Sequence, residues 1–334
     1  MVYIYKKTIG DKNYYYLRAS VEVKEKKLTK DIAYLGNDIK QVEKKLDTLN
    51  SHKKEIRKAY KTIKKFIETN IYYEKIKSQK LKKTAFLSKE SLENIETCKS
   101  HWNNSFSRLN ELTKEEILKN FIVEFAFNTT SIEGNTITLN QAKKLLMENL
   151  TPKNKSLREI FDLQNTEKTF WKLYFDLKQA INHDLICKIH SSLLENIDNR
   201  AGYRREEVRV FKMNFKSTPA KYVKMDMDLL LKWYNKEKKR IHPFALASIF
   251  HHKFEKIHPF MDGNGRTGRM LTSLILLQQD CPPLIIRKKS RNEYLNNLNK
   301  ADKCELDKLD EKYYKALIEF LSNELKETYW NIFL

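Results

Sequence analysis

Glycine and proline are scarce, seven and six in 334 residues, and that scarcity argues against a turn-rich β architecture and for long helices. Cysteine is scarcer still. The four thiols, Cys98, Cys187, Cys281 and Cys304, are far apart and form no Cys-x-x-Cys pair, which leaves neither a disulfide framework nor a zinc finger and predicts reduced structural thiols in a cytoplasmic protein. No run of about 18 apolar residues is present, so no membrane span is expected, and the N-terminus lacks the apolar core of a signal peptide. Acids are outnumbered, 43 against 64 Lys and Arg, for a net charge of +21. That excess favours polyanionic partners: nucleic acid, a nucleotide, or an acidic protein surface.

A hydrophobic content of 41% is enough for a sizeable core. Residues 2 to 35 alternate in the β manner through Val2-Tyr3-Ile4-Tyr5, Tyr14-Tyr15-Tyr16-Leu17 and Ile32-Ala33-Tyr34-Leu35, predicting a three-stranded meander over 1–36. Its tyrosines serve either to stack on bases or to face the rest of the chain. From Asp38 to about Lys83 there is no Gly or Pro, and Val42, Leu46, Leu49, Ile56, Tyr60, Ile63 and Ile67 repeat at three and four residues. One long amphipathic helix, alone or followed by a shorter one, is expected, within a basic helical region spanning 37–104. Residues 51 to 85 hold 12 Lys or Arg against three Glu, which is either a nucleic-acid-binding face or a solvated one. The apolar stripe needs a partner helix, from this chain or from a second copy in a homodimer. Further helices are predicted over 115–127, 139–148, 157–177 and 183–194, with a closing helix from 311 in a C-terminal segment 311–334.

The costliest choices of residue lie in His258-Pro259-Phe260-Met261-Asp262-Gly263-Asn264-Gly265-Arg266-Thr267-Gly268-Arg269. The apolar repeat before it must end at Pro259, so His258 stands at a helix end. The repeat resumes at Met270, so Gly263-Asn264-Gly265 opens a second helix, whose unpaired N–H groups make an anion site. Arg266 and Arg269, three apart, project toward the same anion, and Asp262 is a hard oxygen ligand for Mg²⁺. Imidazole, carboxylate, anion cradle and two arginines together describe phosphoryl or nucleotidyl transfer with a histidine base. His242, His251, His252 and His258 do not add up to a transition-metal site, because no Cys or second acid joins them at ligand spacing.

This string resembles the Fic motif, HPFxDGNGRxxR, without departure at a defining position. The resemblance implies a mainly α, Fic-type helical bundle with a β-hairpin flap over about 105–310, following the meander and the long basic helix. It further implies transfer of AMP from ATP to a Tyr, Thr or Ser hydroxyl of a target protein. His258 would be the base, Asp262 the Mg²⁺ ligand, Gly263, Asn264 and Gly265 the phosphate cradle, and Arg266 and Arg269 the phosphate arginines. Gly265 places the likeness on the AMP-transferring branch, since the phosphotransferase branch that resembles Doc carries Lys there.

A second stretch, Thr129-Thr130-Ser131-Ile132-Glu133-Gly134, reads on its own as a capped helix end whose acid wants a cation. Beside the first motif it resembles the family's inhibitory signature, with Thr129, Glu133 and Gly134 at its defining positions in a helix of about 115–134. The likeness implies that Glu133 pairs with Arg269 and restrains the enzyme. By the same resemblance Val208, Arg209 and Val210 belong to a flap that adds a target strand, and Tyr294, Leu298 and Asp302 to an adenine pocket. Relatives often carry Asn where this chain has Asp302. Two other functions stay open at this point: removal of AMP, with Glu133 positioning water, and a nucleic-acid-binding regulator that works through the basic front half.

Overall fold

The computed structural model describes residues 2–10, 12–23, 26–208 and 216–334. The chain forms two compact units that divide between Leu81 and Lys82.

The first unit is a three-stranded antiparallel meander, β1 (Val2–Ile9), β2 (Lys12–Val23) and β3 (Lys26–Gly36), followed by α1 (Ile39–Asp47), α2 (Lys53–Lys58) and α3 (Tyr60–Lys77). Alternation puts Val2, Ile4, Tyr15, Leu17 and Leu35 on one face, where they pack with Ile39, Val42 and Leu46 of α1 and Ile63 and Ile67 of α3. The long helix expected from Asp38 onward is broken into these three pieces. Its apolar period was real, but Asp47, Thr48, Asn50 and Ser51 compete for backbone hydrogen bonds, and the Thr48 hydroxyl caps α1 by donating to the Lys45 carbonyl at 2.7 Å. Forty-odd residues of unbroken helix would run roughly 65–70 Å, about twice the length of the strands beneath it. Breaking it lets α1 and α3 share one sheet face.

The second unit is helical: α4 (Lys89–Asn104), α5 (Glu111–Ile132), α6 (Leu139–Glu148), α7 (Leu157–Phe175), α8 (His183–Leu193), α9 (Val223–Glu237), α10 (Pro243–Ile257), α11 (Asn264–Leu277), α12 (Arg291–Ala301) and α13 (Glu311–Ile332). Expected helix positions agree closely for α6, α7 and α8, α6 to the residue, while α5 begins four residues earlier and ends five later than the expected 115–127. Helix α4 belongs here and not with the basic region before it, because it packs on α13, where His101 Nδ1 meets the Tyr329 hydroxyl at 2.8 Å. At the centre lies α11. Every residue of it is buried except Gly265, the mark of a helix surrounded by others. It pairs with α10 and packs against α5, α7 and α8, and it reaches the surface at Gly265 in its first turn. The cysteines are unpaired. Among the described residues no helix is long and apolar enough to cross a membrane.

Candidate active site

Helix α10 stops because Pro259 follows it. The residue before a proline is pushed out of the helical region, and His258 caps α10 in a left-handed conformation at φ 54°. Such a conformation is costly for a side-chain-bearing residue and needs external support. Arg204 supplies it: its Nε donates to the His258 carbonyl at 2.7 Å and its backbone N–H to the Pro259 carbonyl at 2.9 Å. The same guanidinium donates to the carbonyls of Glu206 and Thr218, and its side chain is fully buried. His258 Nδ1 lies 3.4 Å from the Glu255 carbonyl, an acceptor only, which places the proton on Nδ1 and the lone pair on Nε2. Burial lowers the imidazole pKa, and Arg204 adds to this against the opposing Glu255 carbonyl. The ring is therefore neutral and basic near pH 7.

Phe260 is fully buried, its ring stacked on His190 of α8 at 3.7 Å. Asn264 clamps the loop across its base, accepting from the Phe260 N–H and donating to the Phe260 carbonyl, both at 2.8 Å. His190 Nε2 donates to the Asp262 carbonyl at 3.0 Å. Gly263 enters α11 at φ 78°, and a Cβ there would press on Leu194 at 3.2 Å. No side chain caps α11, so the N–H groups of its first turn are available to an anion.

The Asp262 carboxylate accepts from the Gly263 N–H at 2.6 Å and is approached by Arg158 and by Arg266. Burial opposes its ionisation, but Arg266, the Gly263 N–H and Arg158 prevail and hold its carboxyl below the usual range. Arg266, itself buried, forms its main pair with Asp162 of α7. Arg269 is buried at 4% exposure, donating from Nε to the Thr129 hydroxyl at 2.7 Å and through its second terminal nitrogen to the Thr129 carbonyl at 3.0 Å and Glu133 Oε1 at 2.6 Å. Glu133 caps α5 and Gly134 leaves it at φ 108°. The carboxylate hangs over the first turn of α11: a Cβ on Gly265 would stand 2.1 Å from Glu133 Oε1 and 2.9 Å from the Arg269 guanidinium.

A model of the Fic/DOC family matches residues 180–276, the span that holds the loop, Arg204 and α11. This chain carries a Fic domain.

Among curated relatives, the protein adenylyltransferase fic-1 of Caenorhabditis elegans is 31% identical over 183 residues, 53% of this chain and 36% of its own length. The protein adenylyltransferase Fic of Drosophila melanogaster is 31% identical over 189 residues, 54% of this chain and 37% of its own. The chain thus spans well under half the length of these relatives. A Fic domain-containing signalling protein from Bacteroides thetaiotaomicron superposes with a TM-score of 0.64 at 26% identity, covering 71% of this chain and 95% of that one. A Fic family protein from Desulfovibrio desulfuricans gives 0.57 at 25% identity, with 74% and 75% covered.

The two motifs meet in space: Thr129 and Glu133 from α5 touch Arg269 of α11, the pairing that the resemblance implied. The α12 residues sit differently from an open base pocket. Tyr294 is buried with its hydroxyl 2.6 Å from His251 Nε2, Leu298 is buried, and Asp302 accepts from His252 at 2.9 Å. Val208 lies in irregular chain, and Arg209 and Val210 fall outside the described residues. Arg158, Asp162, His190 and Arg204 were not singled out as site residues from the sequence. Arg204 follows a turn glycine in Gly202-Tyr203-Arg204-Arg205, a pattern that by itself reads as the lead into a hairpin. Asp162 left only the faint sign of an acid between the apolar Ile160 and Leu163.

Proposed function

We propose that this chain transfers AMP from ATP to a hydroxyl side chain of a partner protein, releasing pyrophosphate, and that Glu133 holds that activity in check. One observation carries the reading: a buried arginine on the anion-binding helix is already occupied by a carboxylate lying where a phosphate would rest. The Glu133 oxygens stand in for anionic oxygens of the nucleotide, which supports a cradle fitted to such a group in shape and charge. The names of the relatives support the reaction class.

His258 acts as the base. Its Nε2 takes the proton from the target hydroxyl, and that oxygen attacks the α-phosphorus as the bond to pyrophosphate breaks. Arg204 keeps the ring aimed by pinning the backbone of His258 and Pro259. The α11 N–H groups, with Arg266 and Arg269, stabilise charge on the phosphate oxygens. Asp262 fits a hard cation: an anionic oxygen pair, one-third exposed and kept ionised. Among the described residues no cluster of three acids, His or Cys holds a metal unaided, so Mg²⁺ would arrive with the phosphates and neutralise their charge. Tyr294 and Leu298, buried in α12, would support a base site without lining it, and Asp302 steadies that helix through His252. The flap around Val208, Arg209 and Val210 presents the target segment.

Incubation with ATP labelled at the α-phosphate and with a cell extract tests this. Glu133→Gly labels itself or a target more strongly than wild type, and Glu133→Gly/His258→Ala does not label. Labelling that survives loss of His258 overturns the assignment of the base. The exposed edge of the Glu133 carboxylate would also let it hold a water for a second reaction, hydrolytic removal of AMP from the target. Loss of label from a modified target on addition of wild type, and not of Glu133→Gly, selects that direction.

A further inference from the structure

The open face of the N-terminal sheet takes no part in the Fic reading, and its chemistry is distinctive. Cross-strand register pairs Tyr3 with Arg18, Tyr5 with Tyr16 and Lys7 with Tyr14. It then pairs Tyr16 with Tyr34 and Arg18 with Asp31. Residues opposite one another share a face, so Tyr3, Tyr5, Tyr14, Tyr16 and Tyr34 lie together on the side away from α1 and α3. Those helices pack against the apolar face formed by Val2, Ile4, Tyr15 and Leu17. Tyrosine favours strands in general, but propensity alone does not explain what the rings do here.

The Arg18 guanidinium lies over the Tyr5 ring, 3.6 Å from its centroid, and its Nε is held by Asp31 at 2.6 Å. A planar cation stacked on one ring presents its other side to the next planar group. Tyr16 and Tyr34 stand 5.3 Å apart, with Tyr34 half exposed and Lys45 5.6 Å from its ring. Lys7, Lys12 and Lys30 are exposed on the strands. Charge is concentrated in this unit: residues 1–81 carry 21 Lys and Arg against 10 Asp and Glu, about half the chain's net +21 in a quarter of its length. Flat aromatic faces set among lysines match a polymer that alternates flat bases with phosphates. They match poorly with a duplex, whose bases are already stacked on each other. Neighbouring strands lie about 4.8 Å apart and alternate residues about 7 Å apart, which gives room for two or three bases.

We propose that the tyrosine face of residues 2–36 binds single-stranded nucleic acid, with bases stacking on Tyr5–Arg18, Tyr16 and Tyr34 and lysines meeting the phosphates. This function is separate from nucleotidyl transfer and is read by binding, without ATP. Fluorescein-labelled 12-mers of dT and of rU, the matching duplex, and phosphatidylserine vesicles are titrated with the full chain at 50 and 200 mM salt. A single strand is expected to bind at least ten-fold more tightly than the duplex. Tyr16→Ala/Tyr34→Ala should weaken it ten-fold or more at both salts, while Tyr16→Phe/Tyr34→Phe stays within three-fold of wild type. Equal affinity for duplex and single strand, an unaffected alanine variant, preference for vesicles, or no binding each overturns the proposal. Circular dichroism of the alanine variant guards against misfolding; if it fails to fold, Arg18→Ala replaces it with the same expected loss.

Discussion

Substituting Glu133 separates two things its carboxylate does to the cradle. Glutamine removes the charge that engages Arg269 but leaves the atoms over Gly265 nearly in place, whereas glycine removes both. A hydrogen bond between charged groups contributes about 1.5–3 kcal/mol net. The Glu133 side chain is 43% exposed, so solvent screening puts this one near the bottom of that range. On the proposed function, ATP must displace the carboxylate before Arg269 can serve a phosphate, and about 1.4 kcal/mol of competition is roughly ten-fold in apparent affinity. Glu133→Gln should therefore lower the apparent KM for ATP about ten-fold in a self-labelling assay. Glu133→Gly should lower it further, because the carboxylate's atoms no longer stand over Gly265. The ranking wild type, Gln, Gly is the diagnostic. Labelling that is equal in all three at subsaturating ATP would refute the claim that this carboxylate competes with phosphate. Gln behaving like wild type while Gly is active would locate the restraint in shape and not in charge.

Gly265→Ala places a methyl in the space claimed by both Glu133 and a phosphate, so in the Glu133→Gly background it should cut labelling about ten-fold or more, measured as kcat/KM for ATP. Arg204→Ala removes the strut under His258 and leaves buried carbonyls unpaired; a loss of about 3 kcal/mol or more should appear as a fall in chemical-denaturation midpoint, with labelling lost in the fraction that still folds. Stability should also depend on pH through Glu255, which burial pushes up to about 8, with Glu133 and Asp302 adding to this against Arg269. A carboxyl with a raised pKa stabilises the fold when protonated, and that contribution is lost as pH rises toward 8. His251, driven by burial to about 3, acts in the opposite sense as pH falls below about 6.5, leaving pH 6.5 to 8 as the window for Glu255. Wild type should lose melting temperature across that window and Glu255→Gln should not; parallel curves would remove Glu255 as the source.

Much of this site was legible before any coordinates. The apolar periods of α6, α7 and α8 located those helices closely, because a helix that buries one face must repeat every three or four residues. Pro259 located the end of α10, since its ring cannot continue a helix. The motif from His258 to Arg269 is local, and a loop between two helices keeps its residues together whatever surrounds it. The break in the helix after Asp47 was less legible, because a continuing apolar period outweighed four poor helix formers until the length of the sheet was known.

Sequence alone thus determined which groups the cradle contains and that an acid capping α5 would seek a cation. The resemblance named Arg269 as that cation; only the tertiary structure decided that Arg269 also holds both oxygens of Thr129, that Arg204 pins the backbone of His258, and that Arg266 is shared between Asp162 and Asp262. Apart from Arg266–Asp262, which are four positions apart, these contacts join residues from 54 to 140 positions apart. Separations of that size leave no periodicity to read. The partners are chosen by how α5, α7 and α11 pack, and by the cost of leaving a buried guanidinium without an acceptor.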